Sequence, residues 1–549
     1  MKILIHFFIL QLSAAEIFTS SAHVESLINA NKEVPQMLEN YINMEGIRVQ
    51  TLRRLISVYK AKNQQVLAED VNALANPIKT FLFIKHFVAD WDGVEKFMTQ
   101  NTAKGFIWNI AEDRTKRKIE YPTNEDLAGA ASAIFRIQDV YRLSAKELSN
   151  GKILHIDSNQ TWDCLLIGRL AYKTKDYYHT LLWLQEAYDK IQQESDPSYE
   201  NLQEILDKLS FSLFKQGNVK RALLIAEELL KIAPNHKRAA KKVKLYAEKL
   251  KKDGLKLSEF RENIPPLENR RNAEEAPQDD EHNIKIYEAL CRNEIPPSVQ
   301  EFSMLYCYYK RDRPYLLIAP FKTEIVRFDP LAVVFHKVIS DEEISIIQEL
   351  SHSRLERAQI LNHTTQTKAY ASYRISKSAW LHKNEHKVVD RINRRVELMT
   401  NLAQETAEEI QVGNYGLGGH YESHTDFFHE GTFLRALREG NRIATLLFYM
   451  SQPEIGGATV FTRVNTTILP LKNGALFWYN LERNGQGDFR TQHGACPVLV
   501  GVKWVANKWI REIGQEFRRP CGLQKSDKEA FVGDLGGPVP RNHANIRSF

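Results

Sequence analysis

The 549-residue sequence has few cysteines, little net charge and no long hydrophobic run after its first residues. No later stretch approaches the ~18 consecutive apolar residues that a membrane helix needs, so we expect no membrane span. A formal net charge of +6 is small for this length, and Lys and Arg are spread along the sequence, which argues against nucleic acid as a partner. With 43% hydrophobic residues the composition is that of a globular protein, and the length predicts roughly three or four domains.

The N-terminus, MKILIHFFILQLSAAEIFTSSAHVES, has the pattern of a secretory signal peptide. A lysine precedes an apolar run from Ile3 to Leu12, which is too short to span a bilayer, and small residues follow it. Cleavage after Ala15 or after Ala22 fits the pattern, and we assign 1–22 to the signal segment. In an oxidising compartment the five cysteines allow two disulfides with one thiol left over. Three sequons are compatible with such a compartment: Asn159, Asn362 and Asn465.

Sequence texture divides the remaining chain into five segments. Residues 23–154 carry helical patterns, 155–252 read as two helical hairpins, and 253–289 are charged and rich in proline, which predicts a linker. From 290 to 522 the chain changes to short β-rich runs broken by glycines, which predicts a sandwich or barrel. Residues 523–549, rich in Gly, Pro and Asn, predict a flexible tail. The fold class is therefore multidomain α + β.

The first helical segment has apolar residues at steps of three and four between Val24 and Tyr59, with near-heptad spacing. This spacing fits a helix packed on its own domain, and it fits equally a helix that pairs with a second subunit. The sequence leaves both interpretations open.

The segment 155–252 has small residues where the two helices of a hairpin would touch. The first hairpin carries Gly168 and Ala187, and the second carries Gly217 and Ala222, with Pro234 closing the repeat. This is the tetratricopeptide (TPR) pattern, and such repeats build concave grooves. Aromatic side chains are the candidates for the groove face, although an aromatic stripe also fits a helix core: Tyr178, Phe211 and Phe214.

Two separated motifs carry metal-ligand chemistry. In HYESHTDFFHE, an extended strand would point His424 and Asp426 to one face, because side chains alternate along a strand. His493 follows 67 residues after Asp426, at the predicted mouth of a strand pair. Two histidines and a carboxylate are the ligands of open non-haem Fe(II) sites, which leave positions for a 2-oxo acid and O₂. Each motif taken alone also fits a solvated surface.

A lysine in an apolar strand lies ten residues beyond His493. Lys503 shares a strand face with Val505 and Trp509, and a buried ammonium there is costly unless an anion meets it. It could hold the far carboxylate of a 2-oxo acid by a charge-assisted hydrogen bond. The alternative is an edge position from which the side chain reaches solvent.

These motifs, together with NYGLGGHYESHTDF, GNRIATLLFYMS, HGACPVLVGVKWVANKWIRE and GQEFRRPC, resemble the α subunits of animal collagen prolyl 4-hydroxylases. The resemblance covers nearly the whole chain after the signal segment. It implies an N-terminal α-helical dimerisation domain, a TPR-like α-helical peptide-binding domain and a C-terminal double-stranded β-helix (jelly-roll) catalytic domain. It also implies disulfides that join Cys291 to Cys307 and Cys496 to Cys521, with Cys164 left over.

The resemblance implies roles for individual residues. His424, Asp426 and His493 match the family's iron ligands and, with Lys503, form the catalytic set. Lys503 and Tyr415 match residues that bind 2-oxoglutarate. Positions that line the access of the peptide are Tyr421, Arg442 and Trp509, and the groove candidates are Tyr178, Phe211 and Phe214. The sequence departs from the family at the groove, because Lys208, Phe211 and Phe214 stand where tyrosines are usual, so either the affinity for proline-rich peptides or the preferred peptide is expected to differ.

The implied activity is hydroxylation of proline at C4 in X-Pro-Gly sequences of collagen-like chains. Fe(II) and L-ascorbate are the implied cofactors, O₂ and 2-oxoglutarate are consumed, and succinate and CO₂ are released. The implied setting is the endoplasmic reticulum lumen, in an α2β2 tetramer with protein disulfide isomerase as the β subunit. Two rivals are a catalytically silent collagen-binding or assembly subunit and another peptidyl dioxygenase, such as a lysyl hydroxylase. The complete ligand set argues against the first, and the TPR segment with Lys503 argues against the second.

Overall fold

The computed structural model divides into two compact units, residues 23–122 in one and residues before and after them in the other. Of the predicted features, residues 1–15, the sequons Asn159 and Asn362 and the tail beyond 533 lie outside the described residues. None of the helices within the described ranges has the length and apolar character needed to cross a bilayer. The described residues are 16–68, 85, 91–99, 103–108, 122–150, 152–153, 156–157, 163–194, 198–271, 278–361, 368–370, 373–429, 439–524, 527–529 and 531–533.

The unit 23–122 is helical. Its helices, the first of which starts just before it, are α1 (Ser21–Asn31), α2 (Val34–Ala68) and α3 (Trp91–Thr99). The ring of Tyr41 lies 5.4 Å from that of Phe106 and ties α2 to a second helical stretch. Large apolar side chains of α2 are nevertheless exposed, Leu38, Ile42 and Ile47 among them. Pairing of α2 with a helix of a second subunit stays an expectation.

The TPR-like domain is built from consecutive antiparallel helices. Its elements and those before it are α4 (Asn124–Tyr141), α5 (Ala145–Ser149), the strand pair β1 (Lys152–Ile153) and β2 (Ile156–Asp157), α6 (Cys164–Lys173), α7 (Tyr177–Ile191), α8 (Tyr199–Lys215), α9 (Val219–Ile232) and α10 (Lys237–Lys252). Helices start where Asp163, Asp176 and Ser198 accept a backbone N–H three residues on, which satisfies an orphan donor of the first turn. A Cβ on Gly168 would lie 2.5 Å from Leu184, so only glycine lets α6 lie this close to α7. The two predicted hairpins are confirmed.

Helices α4 and α11 (Gln278–Cys291) join the TPR-like helices to the strand domain. The Trp183 indole N–H on α7 donates to Gln138 Oε1 on α4 at 3.0 Å. The Tyr287 hydroxyl on α11 donates to the Ala495 carbonyl in the strand domain at 2.9 Å. One apolar core contains buried residues from α4, α6, α7, α8 and α11 together with Ala458, Val460 and Cys496 of the strand domain, so the two domains share a core.

The predicted linker 253–289 differs from a free tether in the parts that are described. Residues 253–271 run back along the TPR-like helices, with Phe260 buried among them. Asn218 Nδ2 donates to the Glu268 carbonyl at 2.6 Å, and Gln216 Nε2 donates to that of Arg270 at 3.0 Å. The polar, proline-rich composition predicted a solvated linker, but these backbone carbonyls accept hydrogen bonds from side chains on the turn between α8 and α9.

The strands of the next domain are β3 (Cys307–Lys310), β4 (Phe321–Phe328), β5 (Leu331–His336), β6 (Glu356–Arg357), β7 (Gln359–Leu361), β8 (Lys368–Tyr370), β9 (Arg374–Ile375), β10 (Lys377–Leu381), β11 (Ile410–Tyr415), β12 (His420–His424), β13 (Arg442–Tyr449), β14 (Ile455–Gly456), β15 (Thr459–Phe461), β16 (Thr466–Ile468), β17 (Ala475–Tyr479), β18 (His493–Ala495), β19 (Val498–Val500) and β20 (Lys503–Arg511), and its helices are α12 (Val299–Met304), α13 (Pro314–Ile318), α14 (Asp341–His352) and α15 (Lys387–Thr400).

Two antiparallel sheets make up most of this strand domain, the jelly-roll arrangement that was predicted. The larger sheet has the order β3-β4-β5-β17-β13-β20-β11-β10-β6 and the smaller has β16-β15-β18-β12-β9, and the described residues also form the separate pairs β7-β8 and β14-β19. Helices α14 and α15 pack on the larger sheet, and their buried residues form the main core with it.

The disulfide pairing implied by the resemblance is wrong in this structure. Cys291 bonds to Cys496, with the two Cα atoms 5.5 Å apart. Cys307 and Cys521 are exposed and form no disulfide within the described residues, and Cys164 is buried at the start of α6. The reason is where α11 lies: it ends beside the strand that precedes Cys496, whereas Cys307 belongs to β3 at the far edge of the larger sheet.

Residues 16–22, assigned to the signal segment from sequence, pack against the strand domain. Ile17 is buried, and the Ser20 hydroxyl donates to Asn414 Oδ1 on β11 at 2.6 Å. A Cβ on Gly416 would lie 2.1 Å from the Phe18 carbonyl oxygen, so glycine is needed for this close approach. Of the two predicted cleavage positions, only Ala15 would leave this buried segment in place.

The start of the predicted tail is also packed where it is described. Val532 is buried, and the Lys310 ammonium donates to its carbonyl at 2.7 Å. Glu529 accepts from Arg519 at 2.6 Å. The tail predicted to begin at 523 therefore differs from the structure in its first part. Phe531 and Val532, an apolar pair inside the polar stretch, are buried against the strand domain.

Candidate active site

Three ligand-type side chains meet on the smaller sheet. His424 ends β12, His493 begins β18, and the two are direct partners in the strand register. Asp426 follows β12 by two residues and turns its carboxylate to both rings, 3.6 Å from His424 Nε2 and 3.8 Å from His493 Nε2. One donor atom from each residue lies within 4.8 Å of the others, so the three could hold one metal ion. His424 and Asp426 lie together as predicted, although β12 ends at His424 and the bend after the strand, rather than strand alternation, brings Asp426 to the ring.

The surrounding hydrogen bonds prepare these side chains as ligands. His424 Nδ1 lies 2.8 Å from the Glu422 carbonyl, and His493 Nδ1 lies 3.0 Å from that of Thr491. A proton on each Nδ1 donates to these carbonyls, so the lone pair is left on Nε2, which faces the Asp426 carboxylate. Burial lowers the pKa of His493 to about 4, which keeps the imidazole neutral at pH 7.

The Asp426 carboxylate is held ionised and oriented. Burial alone would raise its pKa, but the His493 and His424 rings and the Arg442 guanidinium hold the pKa of the carboxyl well below its usual range. The Thr445 hydroxyl donates to Asp426 Oδ2 at 2.7 Å, and Asn480 Nδ2 donates to the same hydroxyl at 2.8 Å. Sequence reasoning missed both, although a polar Thr445 inside the apolar strand IATLLFYM is the same signal that singled out Lys503.

Lys503 faces the metal-type cluster from the larger sheet. It begins β20 and is the register partner of Tyr415 on β11, with its Nζ 4.9 Å from the centre of that ring. The side chain is fully buried, and no carboxylate of the described chain forms an ion pair with it. Burial lowers its pKa to about 7, and burial raises the pKa of Tyr415 to about 12, so the phenol remains a donor. An edge position open to solvent is excluded.

Lys503 and the three ligand-type residues line one pocket between the sheets, together with Tyr415 and Trp509. A lysine in such a place is a receptor for an anion, because no carboxylate among the described residues neutralises its charge. The arrangement therefore offers a metal position at one end and a carboxylate position at the other, as a bound 2-oxo diacid requires.

The side chains predicted to line the peptide access stand at the mouth of this pocket. The Tyr421 ring stacks on His424 with centroids 3.6 Å apart. The Arg442 guanidinium lies 4.0 Å from the Trp509 ring centre, and Glu408 fixes it by two bonds of 2.6 and 2.8 Å. A wider cleft continues outward from these residues, and further residues that sequence reasoning missed line it: Arg374, Trp380, Glu408 and Phe489.

The three groove candidates of the TPR-like domain do not lie together. Phe211 is half-buried and meets the rings of Tyr172 and Tyr177. Phe214 stacks instead on the buried Tyr246, at 4.8 Å, within the helical core. Tyr178 lies edge to face against His179. Its carbonyl accepts a hydrogen bond from Asn269 Nδ2, which belongs to the segment 253–271. Tyr172 and Tyr177 were not singled out from the sequence.

Three known protein families match three successive parts of this chain. Residues 20–155 match the prolyl 4-hydroxylase alpha-subunit N-terminal region, and residues 161–252 match the prolyl 4-hydroxylase peptide-substrate-binding domain. Residues 410–511, which contain the His–Asp–His cluster, match the 2OG-Fe(II) oxygenase superfamily. Fold and site thus define a 2-oxoglutarate-dependent oxygenase, a class that implies Fe(II) and 2-oxoglutarate.

Whole-chain relatives narrow the class. Prolyl 4-hydroxylase subunit alpha-1 of Caenorhabditis elegans is 48% identical over 546 residues, which cover 97% of this chain and 96% of that protein. Prolyl 4-hydroxylase subunit alpha-2 of Gallus gallus is 38% identical, with 95% and 98% covered, and subunit alpha-1 of Homo sapiens is 37% identical, with 92% and 96% covered. The chain belongs to the prolyl 4-hydroxylase α-subunit family.

Proposed function

We propose that this chain is a procollagen-proline 4-dioxygenase α subunit, which hydroxylates C4 of proline in X-Pro-Gly sequences of collagen-like chains. The observation that carries the proposal is a pocket in which a His–Asp–His cluster faces a buried lysine that pairs with no carboxylate of the described residues. Peptidyl proline, O₂ and 2-oxoglutarate are consumed. One oxygen atom enters the proline C–H bond, and the other leaves in succinate as CO₂ is released.

His424, Asp426 and His493 would hold Fe(II), with two imidazole Nε2 atoms and one carboxylate as the available donors. The donor set fits this ion, because both imidazoles keep Nε2 free of a proton and the carboxylate is ionised. When bound, the iron with 2-oxoglutarate supplies the redox chemistry that activates O₂. Thr445 and Asn480 keep the carboxylate oriented, so the ligands need little rearrangement to bind the ion.

Lys503 and Tyr415 bind the end of 2-oxoglutarate that lies far from the iron. The buried ammonium donates a charge-assisted hydrogen bond to the C5 carboxylate, which in turn raises the pKa of the lysine and keeps it charged. The Tyr415 phenol, buried beside it, donates a second bond to the same group. These contacts orient the co-substrate so that its oxo-acid end points toward the three ligands.

Tyr421, Arg442 and Trp509 line the access of the peptide to the iron site. Tyr421 and Trp509 offer aromatic faces, and two hydrogen bonds to Glu408 hold the charged Arg442 in position. A proline-rich substrate in the polyproline II conformation is already extended, so it loses little entropy on binding to such a cleft. The TPR-like domain holds a distant part of the same substrate chain, with Phe211 and Tyr178 as the residues proposed for its groove; Phe214, the third candidate, packs in the helical core instead.

The remaining parts of the proposal follow from the family. The chain acts in the endoplasmic reticulum lumen after removal of its signal segment, as an α2β2 tetramer with protein disulfide isomerase as the β subunit. L-ascorbate keeps the iron in its active state between turnovers. The exposed apolar residues of α2 are available for pairing with the second α subunit, and the exposed Asn465 is available for glycosylation.

The test is incubation of the purified protein, with its partner if needed, with Fe(II), 2-oxoglutarate, ascorbate and a (Pro-Pro-Gly)-type peptide. Mass spectrometry should find one added oxygen atom at C4 of the proline that precedes glycine. An Asp426→Asn variant in the same preparation is the control for iron bound elsewhere. Peptide binding without hydroxyproline would favour a silent assembly subunit, and hydroxylysine in a lysine-containing peptide would favour a different dioxygenase.

A further inference from the structure

A cluster of three aromatic rings lies open on the TPR-like domain. Tyr172, Tyr177 and Phe211 meet edge to face, with ring centres 5.9 to 6.2 Å apart. All three are half-buried, so each packs on its neighbours and still presents surface to solvent. Proline rings pack well on such faces.

Positively charged side chains stand over these rings. The Nζ atoms of Lys242 and Lys215 lie 5.4 and 5.5 Å from the centre of Phe211, and that of Lys208 lies 5.5 Å from the centre of Tyr172. These distances are within the range of cation–π attraction. The ring cluster therefore has a positive rim rather than a neutral one.

Two carboxylates neutralise only part of this rim. Glu204 accepts from Arg169 and from Lys208, both at 2.8 Å. Asp207 is buried and pairs with Lys242 at 2.9 Å and with Arg238. Each carboxylate is thus shared by two cations, and with Lys215 the rim has five cations for two anions.

The positive charge continues along α10, which borders the same cluster. This helix has eight basic residues and one acidic residue among its sixteen. The whole chain has a net charge of only +6, so the excess is concentrated here. Arg238, at the start of α10, keeps 66% of its side chain exposed and can reach a ligand without leaving the cluster.

We infer that this groove selects proline-rich peptides that carry aspartate or glutamate beside the proline that packs on Phe211. The inference rests on the proposed function, because it takes the TPR-like domain as the binding groove for the substrate chain. A carboxylate on the peptide would supply negative charge that the rim lacks, with Arg238 and Lys215 as its partners. A lysine in the same position of the peptide would be repelled.

The first measurement compares peptides that differ only in charge. Labelled peptides of equal length in which Pro-Pro-Gly alternates with Glu-Pro-Gly, Gln-Pro-Gly or Lys-Pro-Gly are titrated with the full-length protein, and Kd is obtained from fluorescence anisotropy. The glutamate peptide should bind roughly three- to tenfold more tightly than its glutamine isostere, and the lysine peptide more weakly, from one or two exposed ion pairs. The difference should shrink at high salt, because the charges are near the surface.

Variants of the basic residues test which of them cause the preference for glutamate. Arg238→Gln with Lys215→Gln should remove the preference for glutamate and leave binding of the glutamine peptide nearly unchanged. Asp207 keeps Lys242 as a partner, so the fold is spared. The matched control is Lys251→Gln with Lys252→Gln, which removes the same charge from exposed positions of α10, ~20 Å further along the helix. The control variant should keep the preference.

Each outcome separates this inference from the proposed function. Equal Kd values for the glutamate and glutamine peptides overturn the inference and leave the groove intact. Equal loss of preference in both double variants also overturns it, because the effect would then be one of net charge. Tight binding of polyglutamate without proline shows a surface for anions in general and overturns it as well. Hydroxylation of a short X-Pro-Gly peptide, which needs only the catalytic pocket, tests the proposed function independently of all of these.

Discussion

Replacing Lys503 by methionine should show two effects of its buried charge: tighter binding of 2-oxoglutarate and lower stability of the protein without it. Methionine keeps the length and volume of the side chain and removes only the ammonium. Loss of one buried charge-assisted bond to the C5 carboxylate costs about 2–5 kcal/mol, which corresponds to a rise of roughly 30- to 4,000-fold in the KM for 2-oxoglutarate. Iron binding should be nearly unchanged, because Lys503 makes no hydrogen bond to a ligand side chain within the described residues.

The same substitution should stabilise the protein that lacks co-substrate. Burial lowers the pKa of Lys503 from 10.5 to about 7. Because the folded pKa is the lower one, the unfolded chain binds more protons between pH 7 and 10.5, and folding at neutral pH is opposed by on the order of 4 kcal/mol. This cost falls as the pH rises toward 10. Lys503→Met should therefore raise the unfolding temperature at pH 7, and raise it less at pH 9.

The assay is succinate release at varied 2-oxoglutarate, beside thermal unfolding of the protein without co-substrate. Lys508→Met is the matched control, because Lys508 is buried on the opposite face of β20 and donates to the Glu408 carbonyl at 2.5 Å. Burial also lowers the pKa of Lys508, to about 8, but Lys508→Met loses a buried hydrogen bond as well as the charge, so the control should gain less stability than Lys503→Met and leave the KM for 2-oxoglutarate unchanged. An unchanged KM in Lys503→Met, or a loss of stability on that substitution, would refute the anion-receptor role of Lys503.

Three further predictions concern other parts of the chain. Asp426→Asn should abolish 2-oxoglutarate turnover, because it weakens one of three ligands; succinate release at the wild-type rate would contradict the ligand role. A chain that begins at His23 should be less stable than one that begins at Glu16 by about 2–5 kcal/mol, the sum for one buried Ile side chain and a few buried hydrogen bonds; equal denaturation midpoints would show that the 16–22 segment contributes nothing. Phe214→Ala should destabilise the protein by about 3–5 kcal/mol, whereas Phe211→Ala should weaken peptide binding with a smaller loss of stability; calorimetry beside peptide titration would expose the reverse assignment.

The parts of the site that sequence could predict are those fixed by short-range spacing. His424 and Asp426 are two residues apart and lie close together, although β12 ends at His424 and the alternation invoked for them does not extend to Asp426. An isolated lysine in an apolar strand is enough to mark Lys503 as a buried charge, because side chains alternate along β20 whatever the rest of the fold. The same argument applied to Thr445 would have found the residue that orients the Asp426 carboxylate.

The parts that sequence could not predict depend on where separate elements meet. The pairing of Cys291 with Cys496 follows from the position of α11 beside the smaller sheet, and no spacing between cysteines encodes that position. Phe211 and Phe214 are neighbours on α8, yet they lie about 60° apart around the helix axis, at the border between groove and core. Their different surroundings are set by Tyr172 on one neighbouring helix and Tyr246 on another.

Helices α4 and α11 share a core with the TPR-like domain and with the strand domain. Because these helices are packed, they fix the distance from the ring cluster around Phe211 to the catalytic pocket, which a flexible linker would leave variable. A polyproline II chain advances ~3.1 Å per residue, so a substrate held at both places has a set number of residues between them. Hydroxylation would then be phased along a long substrate, at a constant offset from its anchored segment. Peptides lengthened one triplet at a time would show a step in turnover where the chain first spans that distance, in place of the gradual rise that a loose linker gives.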